Sequence, residues 1–448
     1  MPRPFSIRDI PKNRYRTAIG AAYDNGFLWG IGQGLLNSMM IRYLLIDVCK
    51  TQPETMAWEG TVVAWAIAAP RFAGFFRFFT AMLVDLFGSR KWFCIGGLLF
   101  APLFLGMIPL GVPQLVAWDW PTEFSTAIPV FVIAMWFLYH LVEYLAMVAF
   151  FSWVGDIVPP QVRSRFFAWR QGWLLGGTLL GVLLATRWLP KLFPVAVNAP
   201  LWELYLIPAT LGGLFKLVSV LPLLKMPEIA WHRTTFQFAG RFTQMFAPLL
   251  NRRFMLLVGF VSWIHLANGL TQVTQTEYNK WLFPYATIAL FGTLTQAGQF
   301  FLSPPTGRLF QRFGNARVMV VSMVLVSTGS LCYFAATPET RYFLALAAVI
   351  WVFWIGVNIG TINMAIGLAR PDEKTAYLAF YLAVTTGMLA MGTIVGGNLS
   401  DYFRDTTFPI PLINATWNYA QLSFVLSWLM RLLSGLWLIP FFSSTNRF

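Results

Sequence analysis

The stretch Thr80-Ala-Met-Leu-Val-Asp-Leu-Phe-Gly-Ser-Arg-Lys-Trp-Phe93 sets a short knot of charge inside a strongly apolar region. A second knot, Thr306-Gly-Arg-Leu-Phe-Gln-Arg-Phe-Gly-Asn-Ala-Arg-Val318, follows roughly half a chain length later. Asp85 and Gln311 hold the equivalent position in the two copies. A polar hairpin repeated at that distance points to an architecture of two similar halves.

What surrounds the knots is membrane-like. Of the 448 residues 57% are hydrophobic and 11% charged, with a mean hydropathy of +0.61; a soluble chain carries roughly twice that charge. Twelve apolar stretches are each long enough to cross a bilayer of roughly 30 Å: 24–46, 57–84, 92–113, 127–155, 166–187, 200–224, 254–277, 285–309, 316–336, 342–368, 377–400 and 417–442. These are continuous runs, not ten-residue alternations, which excludes a porin-like barrel. The expected class is an all-α membrane protein whose twelve transmembrane helices form two pseudo-symmetric six-helix bundles.

The net charge of +14 is explained by where the charges fall. With the amino terminus placed in the cytoplasm and charges at span ends counted with the adjoining segment, 20 of the 32 Lys and Arg fall in inner segments and 6 in outer loops, while 10 of the 18 acids fall outside. That is the positive-inside pattern, and it predicts both termini in the cytoplasm of a plasma or bacterial inner membrane. Anionic lipid headgroups are the natural counter-charge. No segment is long enough for a soluble domain with a nucleic-acid face, and no cleavable signal peptide precedes the first span. Cys49, Cys94 and Cys332 are scattered, so neither a disulfide framework nor a metal site is expected. No cofactor is implied, and the chain reads as a monomer.

Other features repeat with the hairpin. Val158–Trp169 leaves span 4 and enters span 5; Ala369–Phe380 leaves span 10 and enters span 11. Pro160 matches Pro371, Arg163 matches Lys374, Ala168 matches Ala379 and Trp169 matches Phe380. The expected division is a bundle over 1–224, a cytoplasmic loop over 225–253 and a second bundle over 254–448. Phe238–Phe254 mixes Phe, Leu and Arg in the manner of an interfacial helix.

In these residues the chain resembles the major facilitator superfamily of secondary transporters. That family's hairpin between spans 2 and 3 reads Gly-x-Leu-x-Asp-Arg-x-Gly-Arg-Arg; here Ala81-Met-Leu-Val-Asp85-Leu-Phe-Gly88-Ser-Arg90-Lys91 stands in its place. The second copy keeps Gly307, Arg312 and Gly314 but has Gln311 for the acid. The family's span 4 arginine motif is absent, Tyr139, His140 and Glu143 standing there instead, and span 5 lacks the antiporter Gly-Pro pair. The resemblance implies a latch of Asp85, Gly88, Arg90, Gln311 and Gly314. In it Asp85 faces the amino-terminal end of span 11, where a carboxylate gains roughly 0.3–1 kcal/mol. The alternative is a simple topological turn held inside by its basic residues.

Helical periodicity places polar and aromatic residues in stripes. Span 1 carries Asn25, Trp29, Gln33 and Asn37; span 4 carries Trp136, Tyr139, His140 and Glu143. Span 7 carries His265, Asn268, Gln272, Gln275 and Thr276; span 10 carries Trp351, Trp354, Asn358 and Thr361. Any one stripe could be interhelical glue. Spans 1, 4, 7 and 10 line the central cavity in the family, which implies a solute site made from Gln33, Asn37, His140, His265, Asn268, Gln272, Trp354 and Asn358. Arg71 and Glu143 lie near the middle of spans 2 and 4 and are read as a charge pair, either structural or coupling. The leading reading is a secondary transporter of a small polar or anionic organic solute, with a proton as candidate coupling ion. The alternative is a non-transporting membrane scaffold or assembly factor. An enzyme is not expected: no paired carboxylates, zinc-type His spacing or activated serine stands out.

Overall fold

The structure, a computed structural model, describes residues 15–36, 38–51, 56–117, 126–158, 160–192, 201–228, 247–368, 374–410 and 415–441, and over these residues each apolar stretch is mainly helical. Helices close all their backbone hydrogen bonds internally, which hydrocarbon demands. Span 1 is Tyr15–Leu35 continued by Ser38–Thr51. Span 2 is Glu59–Phe75 and Thr80–Phe87, joined by a 3-10 turn over Phe76–Phe79. Arg90–Ala117, Ala127–Ile157, Pro160–Leu183 and Leu206–Val218 form the cores of spans 3 to 6. Spans 7 to 9 are Arg252–Leu282, Tyr285–Phe313 and Asn315–Phe334. Span 10 is Tyr342–Ile350 and Trp354–Leu368 around a 3-10 turn; span 11 is Lys374–Tyr402 and span 12 begins with Tyr419–Leu433. The proposed interfacial segment Phe238–Phe254 lies mostly outside the described residues.

The contacts divide the chain into two units. One holds Met1–Thr55 and Phe76–Phe236; the other holds Met56–Phe75 and Gln237–Phe448. These units differ from the linear division at residue 224 in one respect. The first part of span 2 groups with the carboxyl-terminal unit, because span 11 grips its amino-terminal end. The Asp401 carboxylate accepts from Gly60 N at 2.9 Å and Thr61 N at 2.6 Å, supplying a helix cap from another span. Gly60 and Gly397 let the two backbones approach: a Cβ on Gly397 would sit 2.6 Å from Gly60 O.

Within each unit the same pairings recur. Span 1 packs on spans 5 and 6 as span 7 packs on spans 11 and 12, and span 3 packs on span 6 as span 9 packs on span 12. Glycine seams set the closest of these approaches. A Cβ on Gly30 or Gly34 would run into the carbonyls of Leu174 or Thr178 on span 5, and one on Gly269 would lie 2.6 Å from Leu389 O on span 11. Small residues at such crossings are how membrane helices gain dispersion contact without a hydrophobic drive.

Both hairpins turn on a glycine with positive φ, Gly88 at 78° and Gly314 at 83°, a conformation that costs other residues more. The first is fastened inside its own unit. Arg90 Nη1 donates to Ser152 Oγ at 3.0 Å on span 4, and Lys91 Nζ donates to the carbonyls of Leu224 and Met226, at 3.2 and 2.8 Å, after span 6. A feature with no sequence forewarning is the antiparallel pair Thr407–Ile410 and Ala415–Asn418 between spans 11 and 12. Asn418 ends that ribbon and caps span 12 through a capping box with Gln421, so the helix starts just after the apolar stretch begins.

Candidate functional site

In the amino-terminal unit one buried polar cluster stands out. Span 4 turns Trp136, Tyr139, His140 and Glu143 to one face, as their spacing requires, and span 6 brings Lys216 against them. Lys216 Nζ lies 3.9 Å from Glu143 Oε1 and donates to the Tyr139 hydroxyl at 2.7 Å. The same ammonium sits 3.8 Å above the centroid of the Trp29 ring. His140 Nδ1 lies 3.1 Å from Glu143 Oε2, and its ring meets Trp136 edge to face at 4.3 Å. Glu143 is 8% exposed and Lys216 2%. Taking both charges from water is costly, and their attraction offsets this only with further polar contacts, which Tyr139, His140 and Trp29 supply. Arg77 extends the row, its guanidinium 3.8 Å over the Tyr144 ring.

The cationic partner of Glu143 in this unit is therefore Lys216. Arg71, paired with Glu143 on the sequence, falls in the carboxyl-terminal unit, where it is exposed and close enough to His265 to act on it electrostatically. Asn25 also departs from its stripe. It donates to Ser219 O at 2.9 Å and accepts from Arg170 Nη2 at 3.2 Å, joining spans 1, 5 and 6 as interhelical glue. Gln33 is exposed, and Asn37 lies outside the described residues.

In the carboxyl-terminal unit His265 Nδ1 is 2.7 Å from Thr385 O on span 11, which fixes the ring. Asn268 and Gln272 follow on span 7, both partly buried, and Gln272 Oε1 is enclosed with no hydrogen-bond partner. On span 10 Trp354 is partly buried and Asn358 exposed. Asp85 lies in the helix Thr80–Phe87 and Gln311 in Tyr285–Phe313, each just before its glycine turn. Among the described residues no group of three or more His, Cys, Asp or Glu could hold a metal ion.

Residues 270–445 match the family model of the Major Facilitator Superfamily. The chain also superposes on the nucleoside transporter NupG with a TM-score of 0.65 at 15% identity, over 97% of this chain and 99% of that one. The chain has the fold of that transporter. The same fold is seen in the xylose transporter XylE from E. coli, with a TM-score of 0.63 at 13% identity, over 95% of each chain. A bacterial homologue of the human lysosomal transporter Spinster gives 0.62 at 13%, over 96% of this chain and 97% of that one. No curated protein sequence matches the chain.

Within this fold, sequence reasoning missed Lys216, Arg170 and Arg431 as candidate site residues. A signal was available. Lys216-Leu-Val-Ser219 in span 6 and Arg431-Leu-Leu-Ser434 in span 12 are the same four-residue pattern in the two halves. In both, the serine hydroxyl donates to the carbonyl of the cation's own residue, at 2.7 and 2.5 Å. Arg431 is 2% exposed and reaches Thr271 Oγ1 at 3.5 Å.

Proposed function

We propose that the protein is a secondary active transporter that moves a small polar or anionic organic solute across the membrane by alternating access, with a proton as coupling ion. The observation that carries this reading is the buried Glu143–Lys216 pair, walled by Trp29, Trp136 and Tyr139. An ionisable pair held within membrane-spanning helices is costly to keep there and marks a functional site by default. Two of the transporters that share the fold carry nucleosides or xylose, neutral polar organic solutes, by their names. The indole faces of Trp29 and Trp136 and the His140 ring suit such a solute, and Lys216 extends the range to carboxylates. A proton reaching Glu143 by way of His140 would cancel the attraction on Lys216 and release its ammonium toward Tyr139 or a bound anion. That change biases one state of the cluster over the other, which is what coupling requires.

In this reading Asp85 with Gly88 and Arg90 forms the working latch, and Gln311 with Gly314 its uncharged counterpart. The chain works as a monomer in a plasma or bacterial inner membrane, with both termini cytoplasmic. The test is uptake into proteoliposomes under an imposed pH gradient, with nucleosides, pentoses and small carboxylates as trial solutes. Saturable uptake that depends on the gradient and loses that dependence in Glu143→Gln supports the reading. Absence of flux for every class, with the protein folded and reconstituted, would favour the scaffold.

A further inference from the structure

A cavity of about 220 Å³ opens in the carboxyl-terminal unit at the end of span 7, near the caps of spans 2 and 12. Its wall includes Glu59, Thr274, Glu277, Ser400, Arg404 and Tyr419. The only cation among these is already engaged. Arg404 donates through Nη2 to Asp401 Oδ1 at 2.8 Å and through Nη1 to Met56 O at 2.7 Å. Asp401 is in turn committed to the start of span 2. Glu277 receives one long bond, 3.4 Å from Ser400 Oγ, and besides Arg404 the charged groups that act on it are two more acids, Glu59 and Asp401.

A second observation points into the same space. Thr274 is 1% exposed, lines the cavity, and its Oγ1 has no hydrogen-bond partner. It precedes Glu277 by three residues and so shares its face of span 7. Other threonines on this helix satisfy themselves locally: Thr276 donates to Gln272 O at 2.8 Å and Thr271 to Asn268 O at 3.2 Å. A hydroxyl left idle beside an open, acid-lined cavity marks a place for something that is not protein.

The carboxylates are too dispersed for a metal: no group of three such ligands able to hold an ion occurs among the described residues. The occupant must be a larger cation that brings its own hydrogens. We propose that this cavity binds a protonated primary amine. An ammonium has three N–H donors; the two Glu277 carboxylate oxygens and the Thr274 hydroxyl offer acceptors, and Glu59 adds negative charge to the wall. The volume holds roughly seven waters at about 30 Å³ each, or an amine of about that many heavy atoms, with Tyr419 beside its carbon chain. Nothing in this depends on transport, since occupancy is read by binding alone.

The test uses butylammonium as probe on the purified full-length protein, by calorimetric titration and thermal shift at constant ionic strength. Tetramethylammonium, a cation without N–H, and sodium are run alongside. Saturable binding of butylammonium is expected, with at least tenfold weaker binding in Glu277→Gln and a smaller, few-fold loss in Thr274→Val, the scale of lost charge-assisted and neutral hydrogen bonds. Glu277→Asp, which keeps the charge, should retain part of the affinity and guards against a folding defect in Glu277→Gln. Equal binding by Glu277→Gln and wild type would overturn the proposal. So would equal or stronger binding of sodium or tetramethylammonium, or no saturable binding by the folded protein.

Discussion

The Glu143–Lys216 pair allows its energetics to be worked out before measurement. At 3.9 Å two unit charges attract by about 4 kcal/mol at an effective dielectric of about 20. Glu143→Gln removes that attraction and leaves a buried ammonium, which in general costs roughly 3–5 kcal/mol. Lys216 is not stranded, however. It keeps the Tyr139 hydroxyl at 2.7 Å and the Trp29 ring at 3.8 Å, the second worth up to about 2 kcal/mol when desolvated. A loss of about 2–3 kcal/mol is therefore expected. Lys216→Met removes the ring contact as well and leaves Glu143 with His140 and Tyr139, for a loss of about 3–4 kcal/mol. The double variant strands no charge and should fall within about 1–2 kcal/mol of wild type, giving a coupling of at least about 3 kcal/mol. Unfolding in mixed micelles measures all four proteins, and transport is assayed in parallel. An additive double variant, with coupling below about 0.5 kcal/mol, would refute the pairing. Restored stability with gradient-driven transport still missing would place the pair in the mechanism.

Further outcomes are expected elsewhere in the molecule. Gly34→Leu should abolish folded yield, because any side chain there meets the backbone of Thr178, whereas Gly20→Ala, with nothing within 4 Å of the added carbon, should express normally; size-exclusion profiles decide this. Asp401→Asn should lower stability by about 1–2 kcal/mol in thermal unfolding, as a weakened helix cap does. Arg90→Gln gives up the bond to Ser152 Oγ and should cost about 1–3 kcal/mol; an unchanged melting temperature would show the bond to be dispensable. Asp85→Asn should slow transport at normal expression, and Gln311→Asn should do much less. Equal losses at the two positions in a flux assay would argue against an asymmetric latch.

Much of the fold could be read directly because lipid makes it legible. Continuous apolar length is the signal for a span, and each of the twelve stretches is mainly helical over its described residues. The breaks were harder. Nothing in the apolar pattern separates Phe75 from Thr80 or Ile350 from Trp354, since a 3-10 turn there keeps the same residue types. Span 8 illustrates the limit of hydropathy: Thr293, Thr295, Gln296, Gln299 and Ser303 dilute it, yet Thr295 and Gln299 spend their side chains on carbonyls of span 10 at 2.9 and 3.0 Å. The site was legible where one helix held it, as with Tyr139, His140 and Glu143. It was not where partners came from distant spans, because periodicity orders residues around a single helix and is silent about which neighbour they face. Thus Lys216 stands beside Glu143 within its own unit, and Asn25 turns to Arg170.

The sharing of span 2 has a consequence for how the molecule can come apart. The chain passes between the two units at Thr55–Met56, at Phe75–Phe76 and again at Phe236–Gln237. A gene cut in the central loop would thus yield two fragments that do not correspond to the two units. The first would carry Met56–Phe75 without span 11 to grip it, and the second would lack that segment. The chain therefore joins the two units at three points and not at one. Melting the carboxyl-terminal unit has to release a piece of chain anchored at both ends in the other, so heat should produce one shared transition in the intact chain, and coexpressed fragments should regain it only when both are present.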